Sequence, residues 1–188
     1  MASLAESGGQ LRRPAVDADS TAPPELHKQL LAGFPAGVTV VTAFDADRRP
    51  RGLTITAFAG VSLSPPLVLV CVDRQSNTLP AIRVSRGFTV NIMSTAAVDV
   101  CRLMASKSPD KFDGVDWSRP ANREGGPVLH GHSTAHIACR TWREIDAGDR
   151  VIFIGVVTEG RSYEDNEPLV FHRRNFLRLA SRDSAGEA

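Results

Sequence analysis

Apolar positions along this chain recur mostly in short alternating runs. Val38 to Phe44, Gly52 to Val61, Leu67 to Val72 and Phe88 to Met93 are rich in Val, Ile, Thr and Phe. Turn chemistry such as Asp45-Ala46-Asp47 and Ser64-Pro65-Pro66 separates them, so they read as strands. Helical spacing shows in three places: Glu25 to about Ala32, with Leu26, Leu30 and Leu31 on one face before Gly33; a stretch from Ser76 or Asn77 to Val84; and Ala96 to about Ser106. After a loop rich in Asp, Gly, Pro and Trp, three more strands are predicted: Thr134 to Ile145, Asp149 to Val157 and Pro168 to His172. In the first, Ala135, Ile137 and Cys139 alternate with Thr134, His136 and Arg140, which gives one dry face and one polar face. The second is apolar on both faces and belongs at the centre of a sheet. Many short strands without edge protection predict a mainly β fold, a closed or nearly closed barrel with a few covering helices.

Composition narrows the function classes. The 188 residues suit one domain with a single sizeable core, placed at 25–179. Residues 1–24 and 180–188 lack periodic apolar positions and are expected to be tails. Lys plus Arg number 22 against 21 acidic residues, so no overall field draws the protein to nucleic acid or an anionic membrane, and any anion site must be local. Cys71, Cys101 and Cys139 are odd in number, far apart and form no CxxC pair. That argues against a disulfide framework or a structural zinc site and suits a reducing cytoplasm. The N-terminus carries no signal-like apolar core, and the longest apolar run, Val151 to Val157, is too short to span a membrane.

Several segments in order resemble the short-chain flavin reductases, which feed reduced flavin to partner monooxygenases. Phe34-Pro35-Ala36-Gly37-Val38-Thr39-Val40-Val41-Thr42 is similar to that family's opening strand. There follow Gly52-Leu53-Thr54-Ile55-Thr56-Ala57-Phe58, Val61-Ser62-Leu63-Ser64-Pro65-Pro66-Leu67-Val68, Cys71-Val72 with Ser76 and Thr78, and Phe88-Thr89-Val90-Asn91. Lys111-Phe112, Gly126-Pro127-Val128-Leu129, Gly148-Asp149 and Glu167-Pro168-Leu169-Val170 complete the series. The likeness runs from about Phe34 to Leu179, and its specificity lies in the joint order of motifs that are individually weak. It implies a split-barrel fold, a homodimer with flavin near the subunit interface, FAD or FMN as cofactor, NADH or NADPH as hydride source, and a monooxygenase that receives the reduced flavin.

Direct hydride transfer between two cofactor rings needs no acid, base or nucleophile from the protein, so no catalytic side chain is assigned. The resemblance places the flavin ring on Thr54, Ile55, Thr56 and Ala57, with Cys71 and Val72 beside it. These are small or flat-lying strand residues whose backbone can approach a ring edge. Ordinary β-propensity explains the two threonines equally well when they are taken alone. Asp73-Arg74-Gln75-Ser76-Asn77-Thr78 is the expected phosphate cradle: Ser76 and Thr78 bring hydroxyls, the helix start brings N–H groups, and Arg74 brings charge. A plain N-cap by Ser76 or Asn77 uses the same geometry.

Asn91, polar at the end of an apolar strand, is assigned to the flavin or its supporting shell; an amide satisfied by backbone is the alternative. Lys111 and Phe112 are assigned to the flavin phosphate and ring, against a solvated lysine beside a core phenylalanine. Gly148-Asp149-Arg150 departs from the family's Gly-Asp-His. Arg150 therefore either contacts the dinucleotide differently or pairs with an acid, Asp149 or Glu144. His172 or Arg173 could line the nicotinamide side, or form a solvated basic turn.

Three rival readings compete with this one. His130-Gly131-His132 with His136 and Cys139 invites a metal, but Cys139 and His136 fall on opposite strand faces, so no metal is expected. A flavin-binding or flavin-storage module without turnover would need the same cradle. A related split-barrel oxidase acting on a phosphorylated pyridine would need a second cluster of basic residues, and none is visible along the chain.

Overall fold

The computed structural model describes residues 21–180. The tails expected at 1–24 and 180–188 lie almost wholly outside them. Along the chain run α1 (Pro24–Ala32), β1 (Ala36–Gly37), β2 (Thr39–Phe44), β3 (Pro50–Ile55), β4 (Phe58–Leu63), β5 (Pro66–Asp73), α2 (Thr78–Ser85) and β6 (Gly87–Met93). α3 (Val98–Ala105), β7 (Ser133–Ala147), β8 (Arg150–Ser162), β9 (Leu169–His172) and β10 (Asn175–Arg178) follow. A seven-stranded antiparallel sheet has the order β3-β2-β6-β7-β8-β5-β4, and a three-stranded sheet has the order β1-β9-β10. The fold is mainly β, as the alternation predicts.

Period-two alternation puts both faces of β2 to use. Val41 and Ala43 point into a cluster with Val70, Val72, Phe88 and Phe153, and α2 inserts Leu79, Ala81 and Ile82 into the same core. Val38, just before the strand, and Val40 point to a second cluster with Met93, Cys101, Met104 and Leu129, which α3 covers. Every residue of β2 is buried. Full burial of a side chain of this size contributes about 1.5–3 kcal/mol, so this strand holds the two clusters together.

The strand expected over Gly52 to Val61 is in fact two strands. Chain direction changes at Thr56-Ala57, where Phe58 N–H donates to Thr56 O at 3.0 Å and Cys71 N–H donates to Ala57 O at 3.0 Å. β3 and β4 are the two edges of the large sheet, so this corner links its two ends. β1 is too short to carry a pattern, and β10 follows β9 after only the Arg173-Arg174 turn, so neither is predicted as a separate strand. β8 runs on to Ser162 because the antiparallel ladder with β7 continues to Ala135↔Ser162. α1 buries none of its residues: Leu30 and Leu31 are 64% and 59% exposed.

Candidate functional site

The β3–β4 corner forms one wall of a cavity of about 730 Å³, within the range of small-ligand and cofactor sites. Thr54, Ile55, Thr56, Ala57 and Cys71 line it from the sheet, Arg102, Ala105 and Ser106 from the end of α3, and Phe171 and Phe176 from the small sheet. Small residues on the corner leave main chain open to a flat partner, and Thr56 and Ala57 are exposed. The Thr54 hydroxyl faces away in function: it donates to Cys101 O at 2.7 Å and ties α3 to β3. Phe171 and Phe176 meet at a centroid separation of 5.2 Å, and the Arg102 guanidinium lies 5.8 Å from the Phe176 ring. Two arginines, Arg102 and Arg150, and no carboxylate line this cavity. A flat ring with a polar edge that gains negative charge fits that lining.

Toward the start of β3, Gly52 marks a second and much narrower space of about 20 Å³, room for about one water. Arg51, Asn77, Thr78, Ser108, Lys111 and Phe112 surround it. From Gly52 to Ile55 the strand spans about 10 Å, a length suited to a sugar-alcohol chain ending in phosphate. Lys111 is turned inward: its ammonium donates to Gly52 O at 3.1 Å and Met104 O at 2.7 Å, and burial lowers its pKa. Phe112 packs edge-on to Trp117 with centroids 6.3 Å apart. An anion enters here only if the segment around 108–112 yields.

Several assigned residues stand elsewhere. Val72 is fully buried in the barrel core and cannot touch a ligand in either cavity. Asn91 is also fully buried: its Nδ2 donates to Val40 O and Pro127 O, both at 3.2 Å, and its Oδ1 accepts Leu129 N–H at 2.9 Å. The amide fastens the 126–129 segment to the barrel through backbone partners and lines neither cavity. Arg74 reaches the β7–β8 turn, donating to Gly148 O at 2.9 Å and pairing with Asp146, rather than projecting over the start of α2.

The start of α2 is less open than expected. Ser76 Oγ accepts Thr78 N–H at 3.2 Å, Ser76 O accepts Leu79 N–H at 3.1 Å, and Pro80 has no N–H to offer. Asp73 accepts Gln75 N–H at 2.8 Å and lies 3.4 Å from Arg150, which also approaches Asp149 at 3.6 Å. Glu144 pairs instead with Arg83. Arg150 lines the large cavity beside Cys71, whereas His172 and Arg173 do not line it. Arg173 turns with φ 46° and its N–H donates to Ala32 O at 2.8 Å. The cavity-lining members of that segment are its aromatics, Phe171 and Phe176. Arg102 was missed too; a cation one helical turn from the end of α3 was the available signal.

Burial raises the Cys71 thiol, with Arg150 opposing it, and pushes Cys101 and Cys139 up to about 12. His136 and His130 both bond the Tyr163 hydroxyl through Nδ1, at 2.9 and 2.8 Å. Desolvation lowers the His136 pKa, helped by His130 and opposed by Glu159. These histidines therefore pin the loop before β7 to the barrel wall.

The chain matches the flavin reductase like domain over residues 31–180. It is 38% identical over 150 residues to a flavin reductase (NADH) of Kitasatospora aureofaciens, covering 79% of this chain and 78% of that one. It is 36% identical over 153 residues to the reductase subunit of a flavin-dependent monooxygenase of Rhodococcus jostii, covering 81% and 76%. The structure superposes on the NADH:FAD oxidoreductase of Streptomyces globisporus in complex with NAD and FAD fragments with a TM-score of 0.79 and 32% identity, over 90% of this chain and 99% of that one.

Proposed function

We propose that this chain, which belongs to the flavin reductase like family, is an NAD(P)H:flavin oxidoreductase that reduces FAD or FMN and hands the reduced flavin to a monooxygenase. The observation that carries this reading is the acid-free cavity at the β3–β4 corner, formed by residues inside the matched region. When bound, the two cofactors supply hydride transfer from nicotinamide to flavin. The chain's task is to hold two flat rings in contact. Main chain at Thr54–Ala57 with Phe171 and Phe176 would hold the flavin ring, and the charges of Arg102 and Arg150 would favour its electron-rich reduced form. Arg150, which Asp73 and Asp149 approach, would meet the dinucleotide. Asn77, Thr78, Arg51 and Lys111 would receive the flavin phosphate once the narrow cavity opens.

The same reading makes the protein a cytoplasmic homodimer. The uncovered leucines of α1, with Phe34 at 71% exposure, lie next to the cavity, and Leu31 is itself part of its lining. A second copy covering this face would complete the site. No helix among the described residues is long and apolar enough to cross a membrane.

The test is a steady-state assay crossing FAD and FMN with NADH and NADPH. Flavin-dependent loss of nicotinamide absorbance with at least one pair is expected, with reduced flavin free in solution. No turnover with any pair would overturn the proposal. Flavin that stays tightly bound without turnover would favour a storage module instead.

A further inference from the structure

A cavity of about 590 Å³ lies at the other end of α2 and shares no lining residue with the two already described. Asn77 and Thr78 sit at the start of the helix and Val84 and Ser85 at its end, a length of about 12 Å. Five arginines line it: Arg48 from the β2–β3 turn, Arg86 from the α2–β6 turn, Arg119 and Arg123 from the loop before β7, and Arg140 from β7 itself. Asp45 and Glu124 are the carboxylates on its wall, so arginines exceed acids there by three. Asp45 is already committed, accepting the N–H groups of Asp47 and Arg49 and pairing with Arg51 at 2.8 Å.

Arg119 rests 4.1 Å from the Phe44 ring centroid. The guanidinium groups of Arg48, Arg86, Arg123 and Arg140 have no partner among the described residues. Elsewhere Arg51, Arg74, Arg83, Arg102 and Arg150 all find carboxylates, so the chain does not lack acids to pair with. The Thr141 hydroxyl on the same wall is also without a partner.

Backbone conformation adds to the charge. Arg48, Arg86 and Arg123 adopt φ of 63°, 54° and 60°, left-handed values that favour glycine or asparagine. Three turns made by left-handed arginines thus border one concavity, and all five of its arginines are exposed to solvent and open to an incoming anion. Along the sequence this cluster is invisible, because its members come from four separate segments. The absence of a second basic cluster inferred from the sequence is thereby corrected.

We infer that this cavity is a second anion site, distinct from the flavin site, which takes a diphosphate group, either free or on a nucleotide. Guanidinium forks bind phosphate oxygens in pairs, and a concave wall of several forks suits a compact oligoanion better than a flat protein surface. The inference does not depend on the redox reading.

The experiment is calorimetry on the full chain at low ionic strength, titrating pyrophosphate, ADP and adenosine in turn, with and without saturating FMN, which carries no diphosphate. Pyrophosphate and ADP bind and adenosine does not, binding weakens as salt is added, and FMN leaves it unchanged. Arg86→Ala with Arg140→Ala weakens pyrophosphate binding at least about tenfold, while flavin affinity stays within about twofold. Arg48→Gln with Arg123→Gln, on other walls, gives the same result should the first pair fail to fold. No heat with pyrophosphate or ADP, undiminished binding in a folded double variant, or loss of pyrophosphate binding on FMN saturation would each overturn it.

Discussion

Replacing Asn91 by Ala separates a structural amide from a cofactor ligand. In the native chain that amide satisfies Leu129 N–H at 2.9 Å and donates to Pro127 O and Val40 O. Pro127 O keeps a second donor, the Thr42 hydroxyl at 2.6 Å, but nothing else bonds Leu129 N–H. One buried donor left unmade costs about 1–3 kcal/mol, and the small cavity left by the truncated side chain adds to it. The expected loss is about 2–4 kcal/mol, a fall in Tm of roughly 5–15 °C for a domain of this size. Urea unfolding gives the total, and hydrogen exchange at the Leu129 amide shows whether the 126–129 segment opens first. Flavin affinity of the folded variant stays within about twofold. A loss below about 1 kcal/mol, or a tenfold drop in flavin affinity at unchanged stability, would refute the reasoning.

Alkylation of the native protein at neutral pH should label Cys71 alone, because Cys101 and Cys139 are buried with thiols pushed up to about 12. Flavin should slow that labelling, and peptide mass spectrometry reads both results. The folded pKa of His136 lies below the ordinary 6.5, so below that value the unfolded chain takes up the proton first. Its contribution to stability is thus complete above pH 6.5 and is lost as pH falls from there toward the lower folded pKa; His136→Gln should flatten that limb of the stability curve. Ser76→Ala combined with Thr78→Ala should weaken flavin binding about tenfold while circular dichroism is preserved, and unchanged affinity would remove α2's start from the site.

Legibility in the sequence followed the length of the pattern. β5, β6 and β7 were readable because alternation over seven or more residues has few alternatives. The Thr56-Ala57 corner was not, because Thr-Ile-Thr-Ala-Phe keeps strand-like composition straight through the change of direction. Thr54–Ala57, Cys71 and Arg150, which motif order groups, line one cavity. Arg74, Val72 and Asn91, grouped with them, do not line it, since neighbours in sequence on a strand point to opposite faces and a charged side chain goes to the nearest acid. Residues that meet only in three dimensions, such as Phe176 with Arg102 or the five arginines beyond α2, leave no mark in linear order.

The corner between β3 and β4 also makes the large sheet work like a clasp. Its two outermost strands are fastened by two exposed residues, and an occupant wedged beneath them is gripped by both halves. Such an occupant at a hundred times its dissociation constant adds about 2.7 kcal/mol against unfolding. Thermal melting of the intact chain is therefore a direct gauge of what the clasp holds.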